Sequence, residues 1–349
     1  MTTGILLHQR FGHSRRGQMA ISALCGLSLL ALAAGLVLSW RDSLPDPVAT
    51  HWSSGGAPDG FMSLGAFVAV LAGTAAACIA LFSAIGVHWG RAESTRRLSA
   101  ALNVWIGGFV GTILAGGLWA QRGLADATEA RIPGWLIAVA TLGPAVLAVV
   151  AAMLVPGDSH TPATSPVDAD AARADLAPDE RAAWIGQAGT TRSAMVLEIG
   201  IALLTAALAV MTQLWVMLVV PALLVLLFLA MLSFTVRVDH TGLTVRSALG
   251  WPRTRIPADE VLVASATRVS PLRDYGGWGW RVALNGSGRT GVVLREGEAL
   301  QVDRTAGRGF VVTIDGAAEA AALLNTMAER ARSDAPARSD GTPGTPGTP

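Results

Sequence analysis

Apolar residues in this chain are gathered into blocks about twenty residues long, and a block of that length has few folds open to it. A helix rises about 1.5 Å per residue, so about twenty apolar residues cover a hydrocarbon core of roughly 30 Å. Six stretches qualify: Met19 to Trp40, Leu64 to Val87, Ala100 to Ala120, Trp135 to Val155, Ser193 to Met211 and Leu214 to Phe234. Only 15% of the 349 residues are charged against 52% apolar, where a soluble domain carries about 25% charge. The pattern predicts a polytopic membrane protein whose first partner is the lipid bilayer. Arg15 and Arg16 precede the first block as in a secretory signal, but the block exceeds an ordinary signal core and five more follow, so an uncleaved span is expected. Thr212 and Gln213 alone separate the last two blocks. A tight helical hairpin is the expected solution, because one helix over residues 193–234 would be twice what a bilayer needs.

Arginine placement sets the expected orientation. Arg10, Arg15, Arg16, Arg91, Arg96, Arg97, Arg173, Arg181 and Arg192 fall on one side of the six spans, and only Arg41, Arg122 and Arg131 on the other. A multi-pass cell-membrane protein with both termini in the cytoplasm follows. Trp40, Trp89, Trp119, Trp135 and Trp215 sit at span ends, where an aromatic belt belongs.

Within the spans, Gly107, Gly111 and Ala115 recur every fourth residue and predict a close helix–helix approach. Pro144 and Pro221 interrupt spans, and Glu198 and Asn103 are the strongly polar side chains there, both expected to reach toward the cytoplasmic interface. All 26 basic residues are arginine, which excludes a Walker A loop and Schiff-base or kinase lysine chemistry. Cys25 and Cys78 lie inside apolar blocks and suggest neither a disulfide nor a zinc site. A net charge of +1 gives no bias toward nucleic acid. No nucleophile–base set is apparent, so no enzyme, cofactor or metal is expected.

The first outward loop, residues 41–63, contains Leu44-Pro45-Asp46-Pro47-Val48-Ala49-Thr50-His51-Trp52 and Gly56-Ala57-Pro58-Asp59-Gly60. Prolines force an extended entry and the Pro-Asp-Gly cluster a turn. His51 with Asp46 and Asp59 has metal-binding chemistry, but a lone histidine without helical spacing favours hydrogen bonding that fixes the loop. Pro45, Asp46, His51, Trp52, Pro58, Asp59 and Gly60 are the candidate binding residues. This segment resembles domain-of-unknown-function family 1648, whose signature is LPxxVPxHW/F followed by a G-x-P-D-G turn. Leu44, Pro45, Val48, Thr50, His51, Gly56, Pro58, Asp59 and Gly60 match, and Ala49 replaces a frequent second proline. The SdpI-like immunity proteins share the segment, so the resemblance implies toxin resistance or sensing, with an extracellular peptide or toxin as partner.

On the cytoplasmic side, residues 1–18 are expected to form a tail and 156–192 a linker, flexible from Pro156 to Asp175, with a short helix-like stretch opened by Pro178-Asp179-Glu180-Arg181 and ending at Trp184-Ile185-Gly186, Trp184 resting at the membrane interface. Residues 235–332 switch to short alternating runs: Thr235 to Asp239, Leu243 to Ser247, Arg253 to Ile256, Val261 to Thr267, Trp280 to Leu284, Gly291 to Leu294, Ala299 to Asp303 and Phe310 to Ile314. Asp315 is the expected cap of a final helix that buries Ala320, Leu324 and Met327. Strands closed by one helix, with the Ile256-Pro257-Ala258-Asp259-Glu260-Val261 connection, resemble a bacterial pleckstrin-homology-like domain. Residues 333–349, with Gly-Thr-Pro repeats, are expected to be disordered. Residues 237–281 hold seven Arg against four acids, a surface suited to anionic headgroups or to solvent.

Six transmembrane helices plus a cytoplasmic β-rich domain are therefore expected. The favoured role is sensing of, or resistance to, an extracellular factor through the first loop, with a cytoplasmic protein partner inside. A small transporter or channel kinked at Pro144 and Pro221 is one alternative, and a membrane assembly scaffold the other.

Overall fold

The structure, a computed structural model, describes residues 14–53, 55–177, 179–213 and 218–334. The N-terminal tail before Ser14, Trp215 and the tail after Asp334 lie outside those residues. Five helices are long and apolar enough to cross a membrane: α1 (Arg15–Ser39), α2 (Leu64–His88), α3 (Glu93–Trp119), α4 (Leu136–Leu154) and α5 (Arg192–Met211). Ser14, Ser63 and Thr191 cap α1, α2 and α5 through their hydroxyls, supplying acceptors that free backbone N–H groups need. Helix α6 (Val219–Met231) covers 13 described residues, about 20 Å at 1.5 Å per residue. It packs on α5, as a hairpin requires.

Helices α1 to α4 form a bundle with α3 at its centre. The small-residue stripe explains the packing. A side chain on Gly107 would overlap the Gly26 backbone of α1, and one on Gly111 would press on Ala33 and Leu29. Gly108 receives Pro144, whose ring carbon would lie 2.8 Å from an added Cβ, so the α4 proline fills a notch in α3. Asn103 does not reach for the interface. It is fully buried and donates to the Ser22 and Ser83 hydroxyls of α1 and α2, each at 3.0 Å. The serines on adjacent helices thus pair the amide nitrogen inside the apolar bundle, while Oδ1 is buried without a hydrogen-bond partner among the described residues. Glu198 remains exposed on α5.

Beyond the helices, two sheets and a helix build the C-terminal domain. The eight expected runs are all strands: β4 (Ser233–Asp239), β5 (Gly242–Ser247), β6 (Arg253–Pro257), β7 (Val261–Val269), β8 (Gly279–Val282), β9 (Thr290–Val293), β10 (Gly297–Arg304) and β11 (Arg308–Thr313). An unexpected β3 (Trp184–Gly189) precedes them and pairs antiparallel with β4. Sheet orders are β3-β4-β5-β6 and β7-β10-β11-β9-β8, antiparallel except for β9 beside β11. A short α7 (Pro271–Tyr275) joins β7 to β8, and α8 (Ala317–Ser333) closes the core. Phe234, Val236, Val245, Ile256, Leu300, Phe310, Val312 and the α8 residues Ala320, Leu324 and Met327 share that core.

Three expectations change here. Residues 179–189 are not helix-like, and Trp184 packs against the domain core instead of resting in a membrane interface. The segment before β3 is held to the domain, because Val167 is buried in the same core and α8 supplies partners to its backbone. Asn325 donates to the Ala172 carbonyl and Thr326 accepts from the Ala174 N–H. Asp315 does not cap α8: Gly316 occupies the cap position and Asp315 pairs with Arg295.

Candidate functional site

Strands β1 (Val48–Trp52) and β2 (Pro58–Met62) make an antiparallel hairpin between α1 and α2. The Ser53 N–H donates to the Ala57 carbonyl at 2.9 Å, and Gly56 takes the positive φ that the turn needs. His51 lies opposite Gly60. A Cβ on Gly60 would come within 2.9 Å of His51 Cβ, so the glycine gives the imidazole its place. His51 Nδ1 sits 2.5 Å from Asp59 Oδ1. Their side chains are 74% and 47% exposed, so the pair is offered to solvent. With Nδ1 protonated the ring donates to the carboxylate, which fixes the ring and leaves Nε2 to meet a ligand.

The other expected residues divide differently. Trp52 turns inward, donating its indole N–H to the Ala130 carbonyl at 3.1 Å and packing with Ala49, Ala127 and Ala130. Pro58 is half-buried opposite Trp52, Pro45 is buried, and Asp46 is exposed apart from the pair. Among the described residues no three His, Cys, Asp or Glu side chains gather as a metal site.

Sequence reasoning missed Gln121, which follows the third apolar block and read as the start of a loop. It is fully buried. Its Oε1 accepts from the Ala49 N–H at 2.8 Å, while Nε2 donates to the Ala49 carbonyl at 2.9 Å and the Gly117 carbonyl at 3.1 Å. A side-chain amide thereby pairs both backbone groups of one β1 residue, as a neighbouring strand would. Val48 packs with Val37, Leu114 and Leu118 beside this clamp. The hairpin is a rigid platform seated on α1 and α3.

At the opposite end of α3, about 40 Å away along a 27-residue helix, Arg96 joins the bundle to the domain. Its guanidinium donates to Gln18 Oε1 at 3.0 Å, the Gly90, Arg91 and Pro156 carbonyls, and Asp158 Oδ1 at 3.1 Å. Asp158 also faces Arg308 at 3.3 Å, and Arg308 and Arg304 both bind Glu260. His160 lies 2.9 Å from Asp259 and 3.3 Å from Glu260. One helix therefore leads into the hairpin clamp at one end and carries the domain anchor near the other.

No curated protein and no solved structure matches the chain. A family model does match over residues 26–74, that of a domain of unknown function, DUF1648. Those residues run from within α1 through the hairpin into α2. The hairpin, the latter part of α1 and the first part of α2 are thus similar to DUF1648.

Proposed function

We propose that the hairpin is a recognition surface for an external factor, such as a secreted peptide or toxin, and that the β-rich domain engages a partner on the other side of the membrane. The observation that carries this reading is the His51–Asp59 pair, held in solvent on a backbone that Gln121 clamps. Rigid platforms that display exposed polar groups are where binding residues concentrate. We read the role as non-enzymatic, in resistance or signalling. We read the domain as pleckstrin-homology-like from its antiparallel four-stranded sheet, its second sheet and the closing α8.

Separate substitutions test recognition against mere loop fixing. His51→Ala and Asp59→Ala should abolish protection or signalling while membrane abundance stays at the wild-type level. Gln121→Ala should lower abundance and activity together, because it strands two buried backbone groups at about 1–3 kcal/mol each. Normal activity in both hairpin variants would overturn the recognition reading.

We read α6 as completing a sixth span, which places the hairpin outside the cell and both termini in the cytoplasm. In a Cys25→Ala, Cys78→Ala background, Gly55→Cys should react with an impermeant maleimide in intact cells and Glu296→Cys only after lysis. Labelling of both in intact cells would require an odd number of spans.

A further inference from the structure

We propose that the outer face of the β3-β4-β5-β6 sheet, with the β5–β6 turn, binds anionic lipid headgroups of the leaflet at the domain end of the helices. The inference rests on α5 and α6 entering a bilayer and is independent of what the hairpin recognises.

Position is the first argument. Strand β3 ends at Gly189, three residues before α5 begins, and β4 begins two residues after α6 ends. Ser247 Oγ donates to the Ala230 carbonyl of α6 at 2.7 Å, and the Ala248 N–H donates to the Ser233 carbonyl at 3.0 Å. The turn from Ala248 to Pro252 is therefore tied to the mouth of the apolar hairpin, at the depth where headgroups begin.

Charge is the second. Strand alternation turns Val245 and Ile256 into the core and Arg246, Arg253 and Arg255 outward. Arg246 and Arg253 are directly opposite in the β5–β6 register. Like charges in that position repel. On the same face Arg237 is paired with Asp239, whereas Arg246, Arg253 and Arg255 have no ion pair among the described residues. Three exposed guanidiniums on one short face attract an anion, and phosphate is a group their planar fork fits.

The turn supplies the third argument. Leu249 is 57% and Trp251 is 74% exposed at its tip. A soluble surface gains nothing from them, but an interface accepts a tryptophan with its apolar body in the acyl boundary. Apolar tip, cationic flank and attachment to a helix end together describe a bilayer better than an acidic protein.

The full chain, with Leu249→Cys carrying an environment-sensitive fluorophore in the Cys25→Ala, Cys78→Ala background, should be placed in nanodiscs of phosphatidylcholine alone or with phosphatidylglycerol. Blue-shifted emission is expected in the mixed discs, reversed by salt. Arg246→Gln, Arg253→Gln, Arg255→Gln together should leave circular dichroism unchanged and lower phosphatidylglycerol retention by about 100-fold, at roughly fivefold per arginine. Emission as red as in detergent would overturn the proposal. A blue shift indifferent to lipid charge and to the triple variant would overturn headgroup binding and leave an apolar anchor. A shift that appears only when an acidic polypeptide is added would reassign the face to a protein. Failure to enter discs would overturn the membrane reading beneath the proposal.

Discussion

Arg96→Ala should detach the C-terminal domain from the helical bundle. The Arg96 side chain is 8% exposed and is bonded to groups of three chain segments: Gln18 in α1, the loop before α3, and Pro156 and Asp158 beyond α4. Alanine strands those carbonyls and leaves Asp158 with Arg308 alone. Removing one partner of a buried ion pair costs about 3–5 kcal/mol, so transient opening should rise by about 100-fold or more. Limited proteolysis within residues 157–176 measures that opening. Arg96→Lys should rescue only part of the loss, since a point charge cannot match a planar donor set aimed at five acceptors. Equal cleavage of wild type and Arg96→Ala would show that the domain stays docked without this anchor. Acid should have a related effect through Glu260. Burial pushes its carboxyl up, but Arg304, the Thr161 N–H and Arg308 outweigh burial and hold it below its ordinary value. A depressed carboxylate contributes stability above its unfolded value and loses it as pH falls through the folded one. Docking should therefore persist through mildly acidic solution and weaken only below the usual carboxylate range.

Local pattern carried much of this fold. The apolar blocks became α1 to α5 because burial in lipid needs only length and composition, and the alternating runs became β4 to β11 because a two-residue period marks one buried face. Strand β3 escaped because one of its two outward residues is the apolar Ile185, 64% exposed, while Gly186 and Ala188 lend no strand propensity. Its partner β4 lies beyond the whole α5–α6 hairpin, and no local signal reports such pairing. Among site residues, His51 and Asp59 stood out by chemistry and motif. Gln121 and Arg96 did not, since a glutamine after a span and an arginine before one are what any membrane protein shows. Only the tertiary approach of β1 and of Asp158 makes them structural. Asn103 was misjudged for the same reason, because Ser22 and Ser83 lie on other helices.

Gly107→Leu should break the bundle, whereas Gly117→Ala on the same helix should not. At Gly107 an added Cβ overlaps the Gly26 backbone of α1, so two main chains would have to separate. Backbone cannot swing aside as a side chain can. Overpacking of a tight core costs about 1–3 kcal/mol when neighbours adjust, and here the neighbours cannot, so alanine at Gly107 should reach the upper part of that range and leucine exceed it. Gly117 is also buried in α3, yet nothing lies within 4 Å of its added Cβ. Alanine there should be neutral or stabilising by up to about 1 kcal/mol, because a helix interior favours alanine over glycine. Unfolding in mixed micelles by increasing dodecyl sulfate, followed by cysteine cross-linking between α1 and α3, compares the two. The consequence reaches the hairpin, since α1 leads into β1 and the chain leaving α3 carries Gln121. Gly107→Leu should therefore also expose the hairpin to protease, and a variant that keeps both the cross-link and the protected hairpin would show that the α1–α3 approach is not what seats the hairpin.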